Sequence, residues 1–300
     1  MHHADHAPIG RLRWVLFLTV GFLLVEVMGG VLSNSLALLS DAGHMLSDVS
    51  ALTLALVAAV QMRRPPDVKR SFGYKRLEVI AALGNAMLLC GVAVIVGIRA
   101  HGRLQNPPEI RSGLMLAVAA AGLAINIVGL LLLHGPSRHN MGVRGAFLHI
   151  VGDTLGSLGA IAAGLVIQTT GWTQADAIAS FLIAVLILAS GAHLARESLH
   201  ILIEGVPRHI DLPEVERSLR CVAGVAGLHD LHVWRIASGF DTLTVHIVLG
   251  RAEGWRELKE EIRAMLRDRF GIEHCTIEME GIDHERGREC AGPVCEREER

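Results

Sequence analysis

Long apolar segments fill residues 14–194, and they restrict the possible folds of this chain more than any other feature. Each approaches the ~20 apolar residues that a helix needs to cross a bilayer. Turns and charged stretches separate them, which is typical of consecutive spans. We therefore predict six transmembrane helices, at residues 14–32, 36–62, 77–98, 114–133, 146–169 and 177–194.

Composition agrees with a membrane protein. The chain has 300 residues, of which 51% are hydrophobic, and its mean hydropathy of +0.42 is high for a soluble protein of this size. A net charge of −2 without a long basic run gives no support to nucleic-acid binding. Five cysteines, an odd number, do not suggest a secreted disulfide framework and favour reduced thiols or metal ligands. The first apolar run lacks a clear cleavage site, so we expect no cleavable signal peptide.

The basic residues of the loops predict the orientation. Ten Lys and Arg residues lie in the N-terminal arm and in the connections 63–76 and 134–145, against three on the opposite side. The positive-inside rule places the richer side, and with it both termini, in the cytoplasm. An even number of spans agrees with this arrangement.

Two short motifs inside the apolar segments carry the chemistry. HMLSD places His44 and Asp48 four residues apart, and HIVGD does the same for His149 and Asp153, so each pair shares one helix face. An Asp at the centre of a span costs roughly 2.5 to 3.5 kcal/mol. Polar side chains that only hold helices together are the alternative. Two pairs with the same spacing instead favour one buried cation site.

Ligand chemistry indicates the cation. Two imidazoles and two carboxylates complete a tetrahedral Zn²⁺ shell and neutralise the ion, and they also suit other borderline-soft divalent cations. Because imidazole titrates near neutral pH, arrival of the metal should release protons.

Four other polar residues lie within the predicted spans. Asp41 either lines the ion pathway or caps its helix, and Glu26 should face the protein interior beside the ligands. Asn85 and Asn126 are typical of residues that hydrogen-bond between membrane helices.

A soluble domain follows residue 204. Its hydrophobic pattern predicts the order αββαβ, with helices at 211–222 and 255–270 and strands at 228–237, 242–249 and 274–280. This order fits a small α+β sandwich with the helices on one face of the sheet. The charged, Gly-rich segment 281–300 is expected to be a mobile tail.

The soluble domain also contains a second set of metal-ligand residue types. Exposed histidines on strand edges are the simpler interpretation of each residue taken alone. Together on adjacent strands and the tail they favour a cytoplasmic metal site. Its candidate ligands are His229, His246, His274, Glu280, Cys290 and Cys295, with His232 and Glu278 nearby. The N-terminal His2, His3 and His6 either belong to a metal-binding arm or are disordered.

Several motifs together resemble one known family. SLALLSDAGHMLSDVSAL, FGYKRLEVIAAL, HIVGD and the series HDLHVW…HIV…TIEME are similar to the cation diffusion facilitators, above all to their zinc/cadmium/cobalt efflux branch. The resemblance covers nearly the whole chain. It implies a homodimeric metal/proton antiporter with six spans and a C-terminal ferredoxin-like, metallochaperone-like cytoplasmic domain. It implies no partners beyond a second copy and membrane lipid.

The resemblance also assigns residues. His44, Asp48, His149 and Asp153 match the family's transport site, and His44 favours zinc over manganese. His229, His246 and Glu280 match cytoplasmic ligand positions, while His274, Cys290 and Cys295 match a pattern of relatives with tail cysteines, where N-terminal residues also join the site. Glu278 replaces a histidine of some members, so a two-metal version of this site is in doubt. Arg76 and Glu204 match a charge pair between the spans and the domain. The short, His-poor 134–145 loop favours a bacterial cytoplasmic membrane.

These observations give the following hypothesis. Residues 1–13 form a cytoplasmic arm, 14–199 the transport domain, 205–280 the metal-binding and dimerisation domain, and 281–300 the tail. The protein exports Zn²⁺, and also Cd²⁺ and Co²⁺, in exchange for H⁺, and cytoplasmic metal binding regulates it. A membrane-anchored metal sensor is the alternative, but an anchor needs no charged pairs in its spans. An intramembrane metalloprotease would need a motif such as HExxH, which the sequence lacks, so we do not expect an enzyme.

Overall fold

The computed structural model describes residues 9–61, 67–134, 141–250 and 253–281. The chain divides into two compact units. The first unit comprises Met1–Pro65 and Ile80–Ala195, and the second comprises Pro66–Val79 and Arg196–Arg300.

The first unit is helical. A helix covers each of the six segments that were predicted to cross a membrane: α1 (Ile9–Ser33), α2 (Leu36–Gln61), α3 (Leu77–Gln105), α4 (Ser112–His134), α5 (Met141–Thr170) and α6 (Gln174–Leu202). Within the described residues, three stretches are long and apolar enough to span a bilayer, namely α3, Val151–Thr170 of α5, and α6. Shorter apolar stretches occur in α1 and α4. Helix α2 carries Asp41, His44 and Asp48 within an otherwise apolar sequence.

Small side chains bring the helices of this unit close together. Helix α1 lies against α2 and α4, and α5 lies against α4 and α2. Ala37 of α2, Ala119 of α4, and Ala160 and Ala163 of α5 are buried in a shared core around Met115. Small residues allow close backbone approach and good van der Waals contact between helices in lipid. The consequence for function is that α2 and α5, which carry the two His/Asp motifs, are neighbours.

Asp176 connects several elements at one end of this unit. Its fully buried carboxylate, at the start of α6, accepts hydrogen bonds from the Ser35 hydroxyl at 2.6 Å and from the backbone N–H groups of Leu36 at 2.8 Å and Ala37 at 3.1 Å. It therefore caps α2 from another helix and complements the positive end of the α2 dipole. Arg103 of α3 lies 3.4 Å from the same carboxylate and donates to the Asn34 carbonyl at 2.7 Å.

The second unit contains the predicted αββαβ domain. Its elements are α7 (Leu212–Arg220), β1 (Val225–Ala237), β2 (Phe240–Leu249), α8 (Trp255–Phe270) and β3 (His274–Gly281). The sheet order is β1-β2-β3, with β1 antiparallel and β3 parallel to β2. The parallel pair requires a crossover connection, which α8 provides. The buried faces of α7 and α8, including Leu219, Ile262 and Leu266, join the strands in one apolar core. Strand β1 begins three residues before its predicted start, because Val225 pairs with Leu249.

The connection before α3 belongs to the second unit. The ring of Phe72 lies 6.4 Å from that of Phe240 and 5.7 Å from that of His274. The Lys75 ammonium sits 3.2 Å from the centroid of the Phe240 ring, and its partial burial lowers the pKa of Lys75. Arg76 and Glu204, the pair named from the resemblance, form an ion pair of 2.7 Å. Both side chains are about half exposed, so we expect this pair to add little stability.

Candidate metal sites

The structure brings three of the four predicted transport ligands together between α2 and α5. The Nε2 atom of His44 lies 3.4 Å from Oδ1 of Asp153. His44, Asp48 and Asp153 each offer a ligand atom, and these atoms all lie within 4.8 Å of one another. The i, i+4 spacing of HMLSD places His44 and Asp48 on one face of α2, and contact between α2 and α5 brings Asp153 to it.

His149 is the fourth predicted ligand. It lies on α5 one turn before Asp153, but its side chain is outside the part of the chain that the structure describes. The three described side chains are partly buried and supply one imidazole and two carboxylates. Such a set suits a borderline-soft divalent cation that prefers few ligands, and Zn²⁺ is the common example.

The other polar residues of the spans hold helices together or lie beside the cluster. The Ser47 hydroxyl of α2 donates to Asn85 of α3 at 3.0 Å, and the Asn126 amide of α4 contacts Ser157 of α5 at 3.5 Å. These contacts have the interhelical character that the sequence suggested for both asparagines. Asp41 is buried in α2, and it does not cap that helix, whose first N–H groups bond to Asp176.

A second cluster lies on the sheet of the other unit. His229 of β1 and His246 of β2 are directly opposite one another, with ring centroids 5.0 Å apart. Glu280 of β3 accepts hydrogen bonds from His246 Nδ1 at 2.7 Å and from His229 Nε2 at 3.0 Å. The three residues again offer ligand atoms that all lie within 4.8 Å of one another. Three adjacent strands therefore bring together residues that are 51 positions apart in the chain.

The electrostatics of this cluster favour a carboxylate that is ready to bind a cation. Burial opposes ionisation of Glu280, which is 5% exposed, but the hydrogen bonds from His246 and His229 outweigh this effect. The pKa of Glu280 therefore lies below its ordinary value. The ionised carboxylate supplies an anionic oxygen donor, and the two imidazoles supply nitrogen donors. Together they form the ligand set of a divalent metal site.

Two further acidic groups surround His246. Its Nε2 atom lies 3.5 Å from Glu278 and 3.7 Å from Asp230. Glu278 is among the residues that the sequence suggested, whereas Asp230 is not, although the HDLH motif places this Asp between two histidines. Asp230 has a positive φ of 55°, an unusual conformation for a residue within a strand. It occurs where the β1–β2 register shifts between His229 and His232, so the Asp230 carboxylate turns toward His246.

The structure does not place His274 in the cluster of its own chain. His274 pairs with Thr242 at one end of β3, whereas Glu280 pairs with Val248 at the other. Six residues of a strand separate them by about 20 Å. The His274 ring instead packs against Phe240 at 5.4 Å. Cys290 and Cys295, and the N-terminal His2, His3 and His6, lie outside the described residues.

Comparison with known proteins identifies the family. The model of the cation efflux transmembrane domain matches residues 12–203, and that of the cation efflux protein cytoplasmic domain matches residues 207–282. The metal cation efflux system protein CzcD of Cupriavidus metallidurans is 44% identical over 283 residues, which cover 93% of this chain and 89% of the relative. The zinc transporter ZitB of Escherichia coli is 41% identical over 300 residues, covering 98% and 94%.

A third relative comes from a different bacterium. The cadmium, cobalt and zinc/H(+)-K(+) antiporter of Bacillus subtilis is 38% identical over 288 residues, covering 94% of this chain and 93% of the relative. The matches extend over both units and include both clusters. The chain therefore belongs to the cation efflux family, the cation diffusion facilitators, and to its bacterial zinc/cadmium/cobalt branch.

Proposed function

We propose that this protein exports Zn²⁺ from the cytoplasm in exchange for protons, with Cd²⁺ and Co²⁺ as further substrates. Its family makes it a metal efflux transporter of the membrane and not an enzyme. The observation that carries the choice of zinc is the cluster of His44, Asp48 and Asp153 between α2 and α5. The name of the ZitB relative, a zinc transporter, supports the same substrate.

The proposed cargo site has four ligands. His149 lies one helical turn before Asp153 on α5 and would complete a tetrahedral set with His44, Asp48 and Asp153. Two carboxylates would neutralise the ion, which lowers the cost of holding it away from water. Ligands from two helices also let a rearrangement between those helices weaken the site and release the ion on the other side.

Proton coupling follows from the same ligands. Metal and proton compete for imidazole nitrogen and carboxylate oxygen, so the bound ion displaces protons and protons displace the ion. Histidine is suited to this exchange because its ordinary pKa lies near neutral pH. The printed name of the Bacillus subtilis relative describes an antiporter that uses H⁺.

We infer that the protein crosses a bacterial inner membrane six times. Both termini would then lie in the cytoplasm. The domains are an arm at 1–13, a transport domain at 14–199, a ferredoxin-like domain at 205–280 and a tail at 281–300. We also infer a homodimer in lipid, consistent with the match to the family's cytoplasmic domain. Cys290, Cys295 and the N-terminal histidines remain candidate ligands from the same or a second copy, and His274 is a candidate only from a second copy.

A vesicle experiment tests the function. Purified protein in liposomes should accumulate Zn²⁺ when a pH gradient is imposed, at a rate that rises with the gradient and falls when an ionophore removes it. We expect Cd²⁺ and Co²⁺ to be carried and Mn²⁺ to be carried poorly, because imidazole favours the later metals of the series. A membrane-anchored sensor would bind metal but give no flux for any of these ions.

We further propose that the cytoplasmic cluster is regulatory. A metal held by His229, His246 and Glu280 would fix the relative placement of three strands and of any second copy bound to them. Replacing His246 with Ala should lower metal affinity of this site by at least about 100-fold, since loss of an outer partner alone costs 10–100-fold. The bound metal per protomer, measured by elemental analysis, should fall, and zinc should no longer stimulate the transport rate.

His274→Ala is the matched comparison for that variant. It removes a histidine from the same sheet, about 20 Å from Glu280 along β3. We expect it to keep both the metal and the stimulation. Equal loss of metal in both variants would instead make His274 a ligand, contributed by a second copy. An unchanged metal content and rate in His246→Ala would contradict the regulatory role.

A further inference from the structure

We propose that Glu26 and Asp41 form a proton-binding site of their own, which releases its proton when the neighbouring transport site takes up metal. The pair contains none of the proposed metal ligands. This inference rests on the proposed transport function, and it adds a second source of the protons that are exchanged.

The burial of the pair favours a form that carries one proton. Glu26 of α1 is 2% exposed and Asp41 of α2 is 6% exposed. Their carboxyl groups lie close enough to interact directly. An ionised carboxylate can only accept a hydrogen bond, so a bond between two carboxyl groups exists only when one of them carries a proton. Oε2 of Glu26 is buried without a hydrogen-bond partner, which would be costly for a fully ionised group.

The surrounding backbone leaves room for these two carboxyl groups. A Cβ added at Gly122 of α4 would lie 3.4 Å from Oε1 of Glu26, and one added at Gly156 of α5 would lie 2.9 Å from Oδ1 of Asp41. An alanine at Gly156 would therefore displace the Asp41 carboxyl group. Helices α4 and α5 thus lie against the two acids, and the absence of a side chain at Gly156 leaves the space that the Asp41 carboxyl group occupies.

The charged surroundings connect the pair to the transport site. Asp153 of α5 acts electrostatically on both acids, and His44 and Asp48 of α2 act on Asp41. Among the described residues that act on the pair, none is a lysine or an arginine. Without metal, the negative Asp153 therefore favours keeping the proton on the pair.

Metal binding reverses this influence. A divalent cation at His44, Asp48 and Asp153 neutralises the two carboxylates of the transport site, which removes their repulsion, favours the fully ionised pair and expels its proton. By linkage, a proton that returns to the pair weakens metal binding by the same factor. Protonation of the pair would thus promote release of zinc from the transport site.

Counting protons tests the proposal. Zn²⁺ is added to purified full-length protein in weakly buffered detergent solution, and a pH dye reports the protons released while equilibrium dialysis reports the zinc bound. Glu26→Gln mimics the permanently protonated acid. We expect it to bind zinc but to release about one proton fewer per protomer than the wild type, and its zinc flux in liposomes should depend less steeply on pH.

Conservative and control variants make the result specific. Glu26→Asp keeps an acid and should restore proton release. Asp41→Asn should release about one proton fewer, in the same way as Glu26→Gln. The test therefore remains possible if one of these variants misfolds. Ser157→Ala, a buried neighbour without a titratable group, should release as many protons as the wild type.

The failures are distinguishable. A wild type that carries no zinc in liposomes overturns the proposed function and this inference with it. A wild type that carries zinc, together with Glu26→Gln and Asp41→Asn variants that keep the wild-type proton release and pH profile, overturns the pair alone.

Discussion

Replacing Asp153 with Asn is expected to abolish zinc flux and the proton release that accompanies zinc binding. The Asp153 carboxylate supplies one of two negative charges in the cluster and lies 3.4 Å from His44. The amide keeps the size of the side chain but removes the charge and the ligand oxygen that binds metal best. Loss of a direct ligand should cost more than the 10–100-fold that loss of an outer partner costs, so we expect at least a ~100-fold loss of flux. Stopped-flow measurement with a zinc dye inside liposomes measures this loss.

Ser157→Ala is the matched control for the Asp153 variant. Ser157 lies one turn further along the same helix, is equally within the membrane unit, and contacts Asn126 rather than the cluster. It should keep flux within a few-fold of the wild type. Retained flux in Asp153→Asn, with normal amounts of folded protein, would reject this cluster as the cargo site.

Replacing Asp176 with Ala is expected to lower the free energy of unfolding of the helical unit by about 3 to 5 kcal/mol. This is the largest loss of stability that we expect from any of the proposed substitutions. The substitution leaves the Ser35 hydroxyl and the Leu36 and Ala37 N–H groups without their acceptor, and it leaves Arg103 without its carboxylate. Buried donors that lose their partner cost about 1 to 3 kcal/mol each before relaxation. Unfolding in mixed detergent micelles with increasing denaturing detergent, followed by tryptophan fluorescence, measures the change.

Asp176→Asn separates hydrogen bonding from charge. The amide oxygen can still accept from the start of α2, while the charge opposite Arg103 is lost. We expect an intermediate loss of stability. If Asp176→Ala unfolds at the same detergent fraction as the wild type, the cap on α2 is not important for the stability of this unit.

Local patterns in the sequence were sufficient for a large part of this picture. Apolar segments of about 20 residues located all six helices, and alternation located the three strands of the second unit. The spacing of His44 and Asp48 placed both on one face of α2 because the helix repeat is fixed by the backbone. The same argument applies to the HIVGD motif. Each inference depended on residues within one element, where geometry follows directly from position in the chain.

Distances between elements were not available from such patterns. His274 looked as good a ligand as His229 or His246, but the register of β3 places it at the far end of the strand from Glu280. Asp230 went unnoticed because a register shift in β1, rather than its residue type, turns it toward His246. Asp176 drew no attention in the sequence, since nothing near it in the chain indicates that it caps α2.

By itself, the sequence determined what kind of molecule this is, a membrane helix protein with a small α+β domain, and which residue types carry its chemistry. Hydrophobic period and motif spacing are properties of neighbouring residues, and they act before any long-range contact forms. The tertiary structure alone decided that α2 lies beside α5, that Glu26 and Asp41 are both buried and that the residues of three strands meet at Glu280. The contacts between helices depend on small side chains that let the helices approach, and those between strands depend on the register of the strands. In both cases the free energy comes from residues that are far apart in the chain.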